Sequence, residues 1–185
     1  MSKKQKAVLS VSYDVDQISG ALLWRISEDD GTRNLLKATG PHAGSVHLVK
    51  GDQVFVDVYS TGLAETLIKT RVLNAYLISI PHTSGMAFCA PSLFSNDSAV
   101  ISVGDWGKLR PVEPPDPVED RKYFVQRSKQ PLIVIQQDGR WELSLVITVA
   151  IETNGPDGKS EKIRVFSFDP EAEVGTGTEP PNSQP

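Results

Sequence analysis

Apolar side chains occupy every second position along much of this chain. The pattern runs through residues 7–15, returns at residues 22–26 and is strongest at residues 54–58. Successive side chains of a strand point to opposite faces of a sheet, so a period of two predicts strands that each have one buried face. Residues 66–80 fit either a helix or a strand, and their β-branched content favours an extended structure.

The most regular pattern lies at residues 132–152, where Asp138 and Gly139 separate two apolar runs. Asp-Gly suits a type I′ turn because both central residues of that turn need a positive φ, so the pattern predicts a hairpin here. A second hairpin is predicted to follow, turning at residues 154–159 and returning to Asp169. We expect the core to be filled by one face of these strands. The residues on that face are Trp141, Leu143, Leu145, Ile147, Phe166 and Phe168.

These signals predict an all-β protein with about nine strands, turns spaced by roughly 8–12 residues and no long helix. The spacing favours an antiparallel β-sandwich of immunoglobulin-like, Greek-key type. Residues 111–120 hold four prolines and four acidic residues, which is typical of an extended surface loop. A linker between two domains is the alternative for this loop. We expect a single domain over residues 1–175 and a disordered tail over residues 176–185, which contain no large apolar residue.

The net charge and hydropathy of the chain argue against several classes of binding partner. The chain of 185 residues carries 19 basic and 23 acidic residues, and the difference, 19 − 23, gives a net charge of −4. Such a chain lacks the positive field that attracts nucleic acid or anionic lipid, so neither is expected as a partner. No stretch approaches the roughly 20 apolar residues that span a bilayer. Polar residues such as Ser10 and Asp14 interrupt the region after the N-terminal lysines, so we expect no signal peptide and a cytoplasmic location.

Reactive side chains are few. The single cysteine, Cys89, excludes an intramolecular disulfide and a multi-cysteine zinc site, and its apolar surroundings favour a buried, inert thiol. His42 and His47 are five residues apart, which is not the spacing of a metal-binding pair on a helix. We interpret them and His82 as exposed loop residues, so the sequence predicts no metal, no cofactor and no catalytic residue. An enzyme using Cys89 or a histidine is the less favoured alternative.

Trp106 is the candidate ligand-binding residue of the chain. It follows Asp105 in a loop flanked by glycines. An indole ring can stack on the apolar face of a sugar while a neighbouring carboxylate accepts hydrogen bonds from its hydroxyls. Together with Asn96, these residues predict a carbohydrate-binding site. The alternative is that Trp106 closes one end of the core.

Several short segments together resemble a known family. They are residues 11–16 (VSYDVD), residues 51–58 with their Gly-Asp turn, residues 141–143, and the closing segment 164–170 (RVFSFDP), which is followed by Val174. Over residues 6–175 the chain is similar to the inclusion-body proteins of the AidA and PixA family. The resemblance implies a small bacterial β-sandwich in which residues 169–170 end the last strand.

The same resemblance implies an abundant intracellular protein without known enzymatic activity, linked to quorum sensing or host association, that can form cytoplasmic inclusions. Exposed strand edges are templates for pairing, and a low net charge permits close packing of copies. We therefore expect a non-enzymatic protein that associates with itself as a dimer or a larger oligomer. A carbohydrate-binding module is the alternative function.

Overall fold

The computed structural model describes residues 5–29, 35, 46–82, 90–136, 139–168 and 173–175; for His47 and residues 173–175 it describes the backbone. These ranges form strands and turns without any helix. No helix that could cross a membrane is present in them. The all-β class is therefore confirmed, and the predicted tail at residues 176–185 lies outside the described ranges.

Twelve strands are present in the described ranges, and they form two sheets. The first sheet contains β1 (Lys6–Asp14), β2 (Leu23–Glu28), β4 (Gln53–Leu63), β7 (Arg110–Pro111), β8 (Arg121–Arg127) and β9 (Leu132–Ile133). Its order is β2-β1-β4-β8-β7, with β9 also paired to β4. The second sheet contains β3 (Val46–His47), β5 (Leu67–Pro81), β6 (Val100–Ser102), β10 (Arg140–Gly155), β11 (Gly158–Phe168) and β12 (Glu173–Gly175). Its order is β3-β12-β10-β5-β6, with β11 also paired to β10.

The lengths of the strands explain why their number differs from the expected nine. Seven strands have six or more residues, and the other five have only two or three. Short strands of this kind carry too few residues for a period to be recognised. The ambiguous segment at residues 66–80 is extended, as predicted, and forms β5.

The sheets are mixed, which departs from the expected antiparallel arrangement. β1 and β4 are parallel over nine residue pairs, from Lys6 opposite Gln53 to Asp14 opposite Thr61. β3 and β12 are also parallel. Parallel neighbours need a crossover connection, and here the chain leaves β1 through β2, enters the second sheet at β3 and returns to the other side of β1 as β4.

The predicted hairpin at residues 132–152 is wrong. β9 pairs with β4 in the first sheet, whereas β10 pairs with β5, β11 and β12 in the second. Gly139 does adopt a positive φ of 139°, and a Cβ there would overlap the ring of Trp141. Glycine is therefore needed beside the Trp141 ring immediately before β10 begins, while Asp138 of the predicted turn lies outside the described ranges. The second predicted hairpin is confirmed, because β10 and β11 pair from Leu145–Phe168 to Gly155–Gly158.

Side chains from both sheets meet in one hydrophobic core. Tyr13 of the first sheet stacks on Phe166 of the second with ring centroids 4.4 Å apart, and Trp24 stacks on Phe168 at 5.3 Å. All six predicted core residues belong to this core, five of them buried and Leu143 partly buried. The strand that the resemblance closes at residues 169–170 is not the last one in the fold, because β12 follows it.

Two polar arrangements tie the sheets together beside the stacked rings. The hydroxyls of Ser60 and Thr70, from β4 and β5, share a buried hydrogen bond of 2.7 Å next to the Tyr13 phenol. Arg164 of β11 lies over the Phe166 ring at 4.6 Å. Its guanidinium donates to the carbonyls of the loop that follows β1. These acceptors belong to Val15, Gln17, Ile18 and Ser19.

Gly62 allows the two sheets to approach where β4 gives way to β5. A Cβ at this position would overlap Cγ2 of Val15 and lie 3.0 Å from Cδ2 of Leu67. Forcing extra volume into a packed core costs about 1–3 kcal/mol, so we expect Gly62→Ala to lower the free energy of unfolding by that amount in urea titrations. Gly155→Ala is the control, because the nearest atom would be 4.0 Å away. An equal loss in both variants would contradict the assigned packing.

Tyr13 should make stability depend on pH in alkaline solution. Burial raises its pKa from 10.0 to about 12, against smaller opposing effects of Thr70, Ser60 and Arg164. The folded state therefore holds the phenolic proton more tightly than the unfolded state, and this stabilisation is complete below pH 10.0 and lost towards about pH 12. We expect urea titrations to show that the wild type loses about 2 kcal/mol more than Tyr13→Phe between about pH 9 and about pH 11.5. Identical pH profiles would contradict the prediction.

Candidate functional site

Trp106 and Asp105 lie on a segment that is held against the end of β8 by backbone hydrogen bonds. The amide of Gly107 donates to the carbonyl of Arg127, and the amide of Lys129 donates to the carbonyl of Asp105, both at 2.8 Å. The Trp106 ring is partly buried and packs against the core, and its Nε1 is buried without a hydrogen-bond partner in the described ranges. This placement supports the interpretation that Trp106 closes one end of the core.

The other two predicted sugar-binding residues have different neighbours. Asp105 is 85% exposed at its side chain and pairs loosely with Lys129 at 3.8 Å. Asn96 accepts a hydrogen bond of 2.8 Å from the side chain of Gln136. No hydrogen bond or ion pair among the described residues joins Asn96 to the Asp105 segment. The carbohydrate site therefore stays a prediction.

The candidate reactive residues fall largely outside the described ranges. His42 and Cys89 are outside them, as is the side chain of His47. His82 lies 3.8 Å from the carboxylate of Glu142. Within the part of the chain that the structure describes, no three His, Cys, Asp or Glu residues come together as a group that could hold a metal ion.

The outer surface of the first sheet carries a charge cluster centred on Arg127. Its guanidinium donates two hydrogen bonds to the carboxylate of Asp57, at 2.7 and 2.9 Å, and a third to Asp29 at 2.8 Å. The Asp57 side chain is only 5% exposed. The hydrogen bonds with Asp57 raise the pKa of Arg127. This fork is the geometry that binds a buried carboxylate most strongly.

Beside this cluster lies a groove of about 600 Å³. Its floor is the outer face of the first sheet, where Leu23, Ser12 and Tyr59 lie opposite one another on β2, β1 and β4. Its wall is a strap formed by residues 112–115, which contains two adjacent prolines. Tyr123 of β8 also lines it. The groove thus combines two tyrosines, a leucine and a proline-rich wall.

The strap is held in place by Tyr123. The amide of Val112 donates to the Tyr123 carbonyl at 3.0 Å, and the amide of Val118 donates to its phenol oxygen at 3.0 Å. Proline restricts the backbone between these two anchors. The wall of the groove is therefore preformed.

Three arginines set the electrostatics at the Tyr59 end of the groove. Burial, and then the charge of Asp57, raises the pKa of the Tyr59 phenol, while Arg25, Arg127 and Arg110 oppose the rise. Arg127 is occupied by Asp57 and Asp29. Among the described residues, Arg25 and Arg110 have no ion-pair partner. Of these two, Arg25 lines the groove, so it is the cationic group that is accessible to a ligand there.

The outer face of the second sheet is open and apolar. Five of the ten large apolar side chains exposed in the described ranges lie on it: Tyr76 (44%), Ile80 (53%), Val100 (51%), Ile163 (64%) and Val165 (57%). We call this set the apolar outer face. Strand register places Tyr76 beside Val146 and Ile78 beside Val100 on β10, β5 and β6, whereas Val165 and Ile163 of β11 lie opposite Thr148 and Ala150.

The sequence analysis predicted neither the groove nor the apolar outer face, although each has a recognisable pattern in the sequence. Leu23 and Tyr59 are apolar or aromatic residues at positions that alternate with the buried residues of their strands. Ile163 and Val165 do the same next to Phe166. Several apolar residues on the outward-facing sides of neighbouring strands indicate an interaction surface, whereas a single one does not.

Comparisons of the chain with protein-family models, curated proteins and solved structures found no match. The functional argument therefore rests on the two outer surfaces described above.

The Asp57–Arg127 pair should be required for stability. Arg127→Met would leave a buried carboxylate without its partner, which costs about 3 kcal/mol, the lower end of the range for buried pairs since Arg127 is 34% exposed. Lys129→Met is the control, and its change should stay within about 0.5 kcal/mol because its ion pair is exposed. Urea titration measures both variants.

The double variant Asp57→Asn/Arg127→Met should recover part of the loss, because no unpaired charge remains. If the double variant is less stable than Arg127→Met, the unpaired Asp57 carboxylate is not the cause of the loss of stability in Arg127→Met.

Proposed function

We propose that this chain is a non-enzymatic, self-associating β-sandwich of the inclusion-body type, acting in the cytoplasm. The observation that carries the proposal is the apolar outer face. Monomeric soluble proteins rarely expose contiguous apolar patches of more than about 300–600 Å² unless the patch is an interaction site. The link to quorum sensing or host association follows from the resemblance to the AidA and PixA family.

The two sheets would be the layers of a sandwich of immunoglobulin-like, Greek-key type. The aromatic stacks of Tyr13 on Phe166 and Trp24 on Phe168 support this arrangement, since each joins one sheet to the other. The chain also changes sheet repeatedly, as at the turn between β4 and β5. Such switching is typical of Greek-key connections.

A second copy is the occupant that suits the apolar outer face. Two copies related by a twofold axis bury the same patch against itself, so an apolar surface meets an apolar surface. Charged side chains lie near its ends, where Glu152 pairs with Lys69 at 2.9 Å and Glu142 lies 3.8 Å from His82. Arg71, in the same register row as Ile163, lies 3.8 Å from Glu161, so the face combines apolar side chains with charged pairs, as protein interfaces do.

The edge of β11 offers a second route to association. Ser167 uses its outward-facing amide and carbonyl to bond Gly20 and Leu22, at 2.8 and 2.9 Å. By the period of two, the amides and carbonyls of Ile163 and Val165 also point away from β10, and those of Ile163 lie beyond the part of the edge that residues 20–22 cover. A row of outward-facing backbone groups beside exposed apolar side chains is a template for pairing with another chain.

Substitution of the apolar outer face should dissociate the oligomer. We expect the wild type to sediment as a dimer or larger species at high concentration. Val165→Lys and Tyr76→Lys should each raise the dissociation constant at least about tenfold, because lysine would have to be buried at the contact. Sedimentation velocity over a concentration series measures this.

Ile133→Lys is the matched control, because Ile133 is 42% exposed and lies on β9 in the other sheet. Its dissociation constant should equal that of the wild type. A wild type that remains monomeric throughout the series, or face variants that associate as tightly as the wild type, would overturn the proposal.

A further inference from the structure

We propose that the groove on the first sheet binds a small amphipathic carboxylate, with its aryl or alkyl body between Tyr59, Tyr123 and the strap and its carboxylate on Arg25. This site is on the opposite sheet from the apolar outer face and is independent of self-association.

The size and lining of the groove define the body of the ligand. A volume of about 600 Å³ lies within the range of sites for small organic molecules. The tyrosine rings, Leu23 and the prolines of the strap offer flat apolar surfaces, on which an aromatic or aliphatic group packs well. The hydroxyls of Ser10, Ser12 and Thr61 are neutral polar groups on the floor.

The position of Arg25 defines the charge of the ligand. Arg25 lines the groove and lies opposite Ser10 in the register of β2 and β1. The neighbouring carboxylate, Asp57, is held by two hydrogen bonds from Arg127, so it does not neutralise Arg25. An unpaired guanidinium binds a carboxylate through two parallel hydrogen bonds.

Glu113 orients the ligand within the groove. It lies on the strap, whereas Arg25 lies on β2, and these two are the charged residues that line the groove in the described ranges. The lining therefore has an acidic residue on the strap and a basic residue on the sheet. A monoanion fits with its carboxylate at Arg25 and its neutral body towards the strap.

Because the wall of the groove is preformed, a small ligand does not have to supply the free energy needed to order it. Tyr123 already holds the strap at Val112 and Val118. Since the strap is fixed at two points and is rich in proline, little conformational freedom is lost when a ligand enters.

The test uses 2-naphthylacetate and its neutral analogue 2-naphthylacetamide as probes with the full chain. Calorimetry at about pH 7 should show that the wild type binds the carboxylate about tenfold more tightly than the amide, as expected for a charge-assisted hydrogen bond. Arg25→Gln should lose that preference while keeping its affinity for the amide. Tyr59→Ser should weaken both probes.

Arg71→Gln is the matched control, because Arg71 lies on β5 in the other sheet. It should bind both probes as the wild type does. Binding of neither probe to the wild type, an unchanged carboxylate preference in Arg25→Gln, or binding of neutral disaccharides in place of the carboxylate would overturn the inference. Val165→Lys, which should remove association, should leave probe binding unchanged, so failure of one proposal is distinguishable from failure of the other.

Discussion

The contact between Tyr13 and Phe166 is the constraint on which the rest of the structure depends. It joins β1 of one sheet to β11 of the other at a ring separation of 4.4 Å. Arg164 lies over the Phe166 ring of this pair and binds the loop after β1. The hydroxyls of Ser60 and Thr70 form a hydrogen bond with each other beside this contact, so their burial leaves neither group without a hydrogen-bond partner. Aromatic packing and local polar satisfaction together fix the spacing of the two sheets.

The inner faces of the two sheets pack against each other. The outer faces are therefore the surfaces that remain accessible to ligands or partners. The first sheet is partly covered by the proline-rich strap, and the space between them is a preformed groove lined by Arg25, which has no ion-pair partner among the described residues. The second sheet has no such cover over its apolar side chains in the described ranges. The same fold therefore offers two distinct surfaces, one suited to a small ligand and the other to a second copy.

Local patterns predicted the strands and their buried faces well. The run from Trp141 to Ile147 faces the core as its period of two requires. The hairpin of β10 and β11 has the predicted turn region. The prediction was wrong where a turn signal was used to decide which two strands pair with each other. Asp138 and Gly139 suit a hairpin, yet β9 and β10 enter different sheets. A glycine with a positive φ suits a hairpin turn, and here it also precedes a strand that joins the other sheet, so this local signal does not distinguish the two.

The sequence by itself determined that the chain is extended, which side of most strands is buried and which residues form the core. These properties depend on side chains a few positions apart, and local periodicity records them. The tertiary structure decided which strands are neighbours, including the parallel pair of β1 and β4, and so where the strap lies and which apolar side chains remain uncovered. Backbone hydrogen bonds are chemically the same for every pair of strands, so the choice of partner depends on how the whole set packs.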